Sequence, residues 1–274
     1  MAVPQIRLNN GISMPQLGFG VFQVPNTETE QAVTTALEAG YRSIDTAAAY
    51  GNEEGVAAAI AKSGIPRDEL FITTKLWNDA HGYDNALRAC DESMRKLGLD
   101  QLDLYLIHWP APKRDLYVET WRAFEKLLAD GRVKAIGVSN FQPAHLRRLT
   151  DETGTVPAVN QIELHPYLTQ AELRDVHARH DIATEAWSPL AKGGDLLSEP
   201  LLTGLADKYG RTPAQVVLRW HLQLGNVVIP KSVTPSRVAE NLAVFDFELA
   251  EDDMASLSGL DRGLRTGPDP DAFN

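Results

Sequence analysis

The feature that most limits what this chain can fold into is an alternation of short apolar runs with amphipathic stretches of helical length. The apolar runs fall at 17–20, 43–45, 71–75, 102–108, 135–139, 158–163, 182–186 and 227–229. Alternation of this kind predicts βα units around a parallel sheet. No linker, low-complexity tract or sequence repeat interrupts it, so residues 1–274 are expected to form one domain, an α/β (β/α)8 TIM barrel. Two β-rich pieces, 5–8 and 12–14, flank the tight-turn triplet Asn9-Asn10-Gly11 and predict an N-terminal hairpin that caps one end. Segments 188–200 and 262–274 read as extra loops towards the C-terminus.

Helix starts are written into several of the intervening stretches. Thr27 with Glu30, and Thr169 with Glu172, have the spacing of a capping box, and Thr212-Pro213 puts a proline where its missing N–H costs little. Trp121, Phe124 and Leu128 recur on one helical face. An open doubly wound sheet is the alternative architecture. Gly18-Phe19-Gly20 begins its dinucleotide fingerprint, but Gln23 stands where the third glycine is needed. Gly137-Val138-Ser139-Asn140-Phe141 likewise lacks the second glycine of a nucleophile elbow.

Charge narrows the function classes. Lys plus Arg number 26 against 37 Asp plus Glu, and the net charge of −11 argues against nucleic-acid or anionic-membrane partners while leaving room for a local basic pocket. Met1 to Asn10 carry no apolar signal-like core, and no run of about 18 apolar residues occurs, so a cytoplasmic protein is expected. The single cysteine, Cys90, excludes an internal disulfide and sits in a helical pattern as buried filler.

In a barrel, working residues gather at the C-terminal ends of the strands. Three successive predicted strands end in Asp45, Lys75 and His108, and Tyr50 lies five residues beyond Asp45. Those residue types suit proton delivery to a carbonyl. A phenol is a weak acid, so a cation such as Lys75 should lower its pKa, Asp45 should keep that cation charged, and His108 could polarise the oxygen from the other side. Phe22, Trp77 and Trp109 follow strand ends and are expected to wall a substrate pocket. Glu163 and His165 are of metal-ligand type, but no third ligand accompanies them and no metal is expected. His81, His145, His177, His180 and His221 read as surface or packing residues.

Four segments carry a resemblance to a known family. They are Gly40 through Glu53 (including Asp45-Thr46-Ala47-Ala48-Ala49-Tyr50-Gly51-Asn52-Glu53), Leu104 through Pro110, Gly137 through Phe141, and Ile229-Pro230-Lys231-Ser232. Together they resemble the signatures of the aldo-keto reductases over nearly the whole chain. Asn78 after Lys75-Leu76-Trp77, the stretch Val159 through Pro166, and Trp187 where many relatives have tyrosine look most like the prokaryotic 2,5-diketo-D-gluconate reductase group.

The resemblance implies a catalytic tetrad of Asp45, Tyr50, Lys75 and His108, with Tyr50 as general acid. It implies that Ser139, Asn140 and Gln161 bond a nicotinamide carboxamide, that Trp187 stacks on the ring, and that Ser188 and Leu190 follow the pyrophosphate. Lys231, Ser232 and Arg237 would meet a 2′-phosphate, with Glu240 and Asn241 near adenine, which makes NADPH the expected cofactor. The substrate would be a small aldehyde, dicarbonyl or keto sugar, the tail 269–274 would close over the pocket, and the enzyme would be a monomer. The alternatives are a cofactor-binding regulatory or structural module with little turnover, and a metal-dependent hydrolase resting on Glu163 and His165.

Overall fold

The computed structural model describes residues 3–274. Strands β1 (Gln5–Arg7) and β2 (Ser13–Pro15) pair antiparallel, with Ile6 opposite Met14, as the predicted hairpin. Eight parallel strands follow in chain order: β3 (Phe19–Gly20), β4 (Ser43–Asp45), β5 (Phe71–Leu76), β6 (Leu102–Ile107), β7 (Val133–Ser139), β8 (Val159–Glu163), β9 (Ala183–Trp187) and β10 (Val227–Val228). The sheet curls until its ends meet. Leu17 bridges Val228, the Gly18 amide donates to the Val228 carbonyl at 2.9 Å, and the Val228 amide donates to Gln16 at 3.0 Å. The Gly20 amide adds a bond to the Pro230 carbonyl at 3.3 Å, and the first and last strands, 19–20 and 227–228, are shorter than predicted.

Packing explains the strand composition. β5 and β6 are buried at every position, since helices cover one face and the barrel interior the other. Asp103 survives inside β6 because Lys134, Arg67 and the Ile72 amide all satisfy it. Outside the barrel, the helix Tyr117–Ala129 lays Trp121 and Phe124 on the sheet, where Phe124 stacks on Tyr105 at 4.5 Å; Leu127 is buried with them and Leu128 lies at the rim. Inside, Leu104, Leu106, Val159 and Val227 form a layer closed from below by Leu8 and Met14 of the hairpin. Gly137 is required where β7 meets β8: a Cβ there would lie 2.6 Å from the Val159 carbonyl oxygen.

Of the three predicted helix starts, one forms as written. Thr212 caps Pro213–Gln223 by accepting from the Gln215 amide at 3.3 Å, while Gln215 Oε1 accepts from the Thr212 amide at 3.0 Å. The other two are corrected. The helix Asn26–Ala39 begins ahead of Thr27, with Asn26 used to accept from the Gly55 amide of the next helix at 3.0 Å. Thr169 lies before the cap of Ala171–Arg179, and its hydroxyl donates to Asp261 instead. The loop 188–200 contains two short 3₁₀ turns, Ala191–Gly193 and Asp195–Ser198. Beyond it lie the helices Pro200–Tyr209, Pro235–Leu242 and Glu251–Ser258. No described helix is long and apolar enough to cross a membrane.

Candidate active site

With the hairpin filling one mouth, the C-terminal ends of the parallel strands leave the other for chemistry. Asp45 closes β4, Lys75 sits near the end of β5, and His108 follows β6, so strand register alone brings the three together. Tyr50 arrives on the 3₁₀ turn Ala48–Tyr50, held by Asn52, which accepts from the Thr46 hydroxyl at 2.7 Å and donates to the carbonyls of Val21 and Val24. Lys75 is wholly buried. Its ammonium donates to Asp45 Oδ1 at 2.6 Å and to the Thr46 carbonyl at 2.8 Å, and makes a long contact of 3.4 Å with the Tyr50 hydroxyl. The four residues named from sequence thus lie together, with the Tyr50 and His108 rings 5.6 Å apart.

Electrostatics correct one expectation. Lys75 does pull the Tyr50 pKa down, but burial outweighs it and the charge of Asp45 adds to the rise, so the phenol ends above its ordinary value of 10.0. Tyr50 therefore holds its proton firmly at neutral pH. For Lys75 burial is the largest influence and lowers its pKa, yet Asp45, close and hydrogen-bonded, leads the groups that bring it to a net rise, so the ammonium stays charged. Burial, with Lys75 nearby, drives the His108 pKa well below the usual range. The imidazole is neutral, and its Nδ1 has no partner among the described residues.

A second network abuts the first. Asn140, at φ 64°, adopts the left-handed conformation that asparagine tolerates. From there it donates to the His108 carbonyl and to Ser139 Oγ, each at 3.0 Å, and accepts from Trp187 Nε1 at 2.8 Å. Gln161, opposite Ser139 on the adjacent strand, donates to Asp45 Oδ2 at 2.8 Å. Ser188 and Leu190 lie in the turn after Trp187, with Ser188 at φ 48°. Lys231 and Arg237 are exposed, and neither joins an ion pair among the described residues; Arg237 lies in the first turn of Pro235–Leu242, with Ser232 just ahead of it. Glu240 is tied to Thr212 at 2.7 Å and Asn241 is buried beside it. Unpaired cations at a helix start suit a phosphate, and the neutral amides around Trp187 suit a carboxamide, so the donor set fits a phosphorylated dinucleotide.

Aromatic residues rim the mouth. Phe22, half-exposed, lies 5.0 Å from the Tyr50 ring, Trp77 lies 5.1 Å from His108, and Trp109 lies 6.5 Å from both His108 and Trp187. The tail reaches them too: Phe273 packs on Trp109 at 4.7 Å and on Trp77 at 6.1 Å. Glu163 and His165 bond each other at 3.1 Å, and Glu163 also accepts from Thr266 and Gly267 of the tail, so this pair is an anchor. Among the described residues no cluster of three or more His, Cys, Asp or Glu could hold a metal ion.

Two features escaped the sequence. One is that anchor, whose donors lie a hundred residues away from Glu163. The other is Glu185, buried inside β9, whose signal was an acidic residue within a predicted strand.

A (β/α)8 barrel whose open mouth gathers Asp45, Tyr50, Lys75 and His108 has the architecture of an enzyme. Its affiliation is narrower: residues 16–262 match the aldo/keto reductase family, and the chain belongs to that family of oxidoreductases. It is 59% identical over 271 residues to an aldo-keto reductase of Mycolicibacterium smegmatis, covering 99% of this chain and 98% of that one. With the methylglyoxal reductase DkgA of Escherichia coli K12 it shares 56% identity over 269 residues, 98% of this chain and 97% of the relative. The crystal structure of a Gox0644 mutant in complex with NADPH superimposes with a TM-score of 0.96 at 52% identity, covering 100% of both chains.

Proposed function

We propose that this protein uses NADPH to reduce small aldehydes, dicarbonyls or keto sugars to alcohols, with Tyr50 as the general acid. The observation that carries the reading is the buried Asp45–Lys75 pair, at 2.6 Å, with the half-buried Tyr50 hydroxyl 3.4 Å from the ammonium, beside a neutral His108 at the open mouth. When bound, NADPH supplies the hydride. The protein's own work is to place the carbonyl oxygen against Tyr50 and His108. As the oxygen gains negative charge it becomes a far stronger base than the phenolate. The Tyr50 O–H bond then breaks, the proton joins the oxygen, and Lys75 stabilises the phenolate left behind. Neutral His108 can share the developing charge through an N–H without losing a proton.

Ser139, Asn140, Gln161 and Trp187 would hold the nicotinamide end, Ser188 and Leu190 the pyrophosphate, and Lys231, Ser232 and Arg237 the 2′-phosphate, with Glu240 and Asn241 beside adenine. Phe22, Trp77 and Trp109 would wall the pocket. The likeness to a methylglyoxal reductase makes methylglyoxal the first acceptor to try. The same reading makes the protein a cytoplasmic monomer; its net charge of −11 supports the absence of nucleic-acid and anionic-membrane partners.

The test is NADPH consumption with a panel of carbonyls for the wild type and Tyr50→Phe. The variant should lose about 10²–10⁴-fold in kcat. Comparable turnover in both would remove Tyr50 as the acid. NADPH binding without turnover by the wild type would favour a cofactor-binding module.

A further inference from the structure

Glu185 is 0% exposed in the middle of the barrel. Its neighbours in the sheet are Gln161 on β8 and the apolar Val227 on β10. Its Oε2 accepts from Gln161 Nε2 at 2.9 Å, and that same nitrogen donates to Asp45 Oδ2 at 2.8 Å. Its other oxygen, Oε1, has no partner among the described residues. The charged and titratable groups around it are Asp45 from β4, Lys75 from β5 and Tyr50 from the turn after β4. Two carboxyl groups thus share one amide and one cation.

The cation belongs to Asp45. Lys75 directs its hydrogens to Asp45, the Thr46 carbonyl and Tyr50, leaving none for Glu185. A buried carboxylate with one neutral donor, an orphaned oxygen and an ionised neighbour is costly, and protonation removes the cost. Burial, then the charge of Asp45, pushes the Glu185 carboxyl up to about 8.

We propose that Glu185 is a positioning residue for carbonyl reduction: kept protonated, it fixes the Gln161 amide against Asp45, and its charge state decides how readily Tyr50 gives up a proton. The inference rests on the reduction proposed above. With Glu185 neutral, Asp45, Lys75 and Tyr50 sum to zero charge, and breaking the Tyr50 O–H bond leaves a single negative charge beside Lys75. With Glu185 ionised the cluster begins negative and must become doubly negative, so the phenol becomes a poorer acid. Reduction should therefore fail on the alkaline side when Glu185 loses its proton, ahead of any ionisation of Tyr50.

Two measurements on the full chain test this. Infrared spectroscopy of the wild type near neutral pH should show a protonated carboxyl band that disappears through about pH 8 and is absent from Glu185→Gln and Glu185→Leu. In kcat against pH with NADPH and methylglyoxal, the alkaline limb of both variants should move up by about one pH unit or more. A wild type without the band at neutral pH, or variants whose limb coincides with the wild type, would overturn the inference. Should the wild type reduce no carbonyl at all, the proposed function falls, and the infrared band still decides the protonation of Glu185.

Discussion

Lys75 illustrates how one buried side chain can serve structure and chemistry together. The ammonium and Asp45 offset each other's desolvation, and removing one partner from such a pair typically costs about 3–5 kcal/mol because the other is left uncompensated. Lys75→Met should therefore lower the denaturation midpoint as well as turnover. Adding Asp45→Asn to it should recover much of the stability, measured by urea unfolding, and none of the activity; a double variant as unstable as the single would contradict this. At this scale Asp45, Lys75 and His108 were legible because strand periodicity put them at successive strand ends, and Tyr50 because its loop was short. The direction of the Tyr50 pKa was not. It depends on how deeply the phenol is buried and on how completely Asp45 cancels Lys75, and neither quantity is written in residue spacing.

Among the elements, the C-terminal tail has the clearest consequence. Glu163 at the end of β8 accepts from the Thr266 amide at 2.5 Å, the Thr266 hydroxyl at 2.6 Å and the Gly267 amide at 3.1 Å. Lys192 donates to the Thr266 carbonyl at 2.6 Å, and Arg262 lies over the Tyr167 ring at 3.5 Å. This draws Gly267 so close to Trp187 that a Cβ would collide with the indole. Gly267→Ala must displace either the tail or the ring that is proposed to stack on nicotinamide. We expect a weakening of NADPH binding of about tenfold, followed by tryptophan fluorescence, with little change in thermal unfolding. Unaltered affinity would show that the tail yields instead. The eight strands were readable from alternation, whereas the Thr27 and Thr169 caps misled, because tertiary partners claimed the ends: Asn26 reaches Gly55, and Thr169 reaches Asp261.

Across the whole molecule, burial has left several imidazoles neutral. Burial, with a cation nearby, holds His81 at about 4 and His177 at about 3; burial also brings His221 to about 3. An unfolded histidine titrates near 6.5. Above that value both states are neutral and these groups leave the folded form intact. As pH falls below it the unfolded chain takes up protons that the folded chain refuses, so stability declines down to the folded values. At pH 5 the loss is about 2 kcal/mol per histidine, detectable as a lower urea midpoint than at pH 7; equal midpoints would show that these rings are charged in the native state. Cys90, pushed by burial up to about 12, should resist thiol reagents until the chain unfolds. The two mouths of the barrel are also physically separate: Leu8 and Met14 plug one, while Phe22, Trp77 and Phe273 rim the other. Directed evolution could therefore draw heat tolerance from libraries at the plug and a new acceptor range from libraries at the rim, and recombine the winners with little epistasis between them.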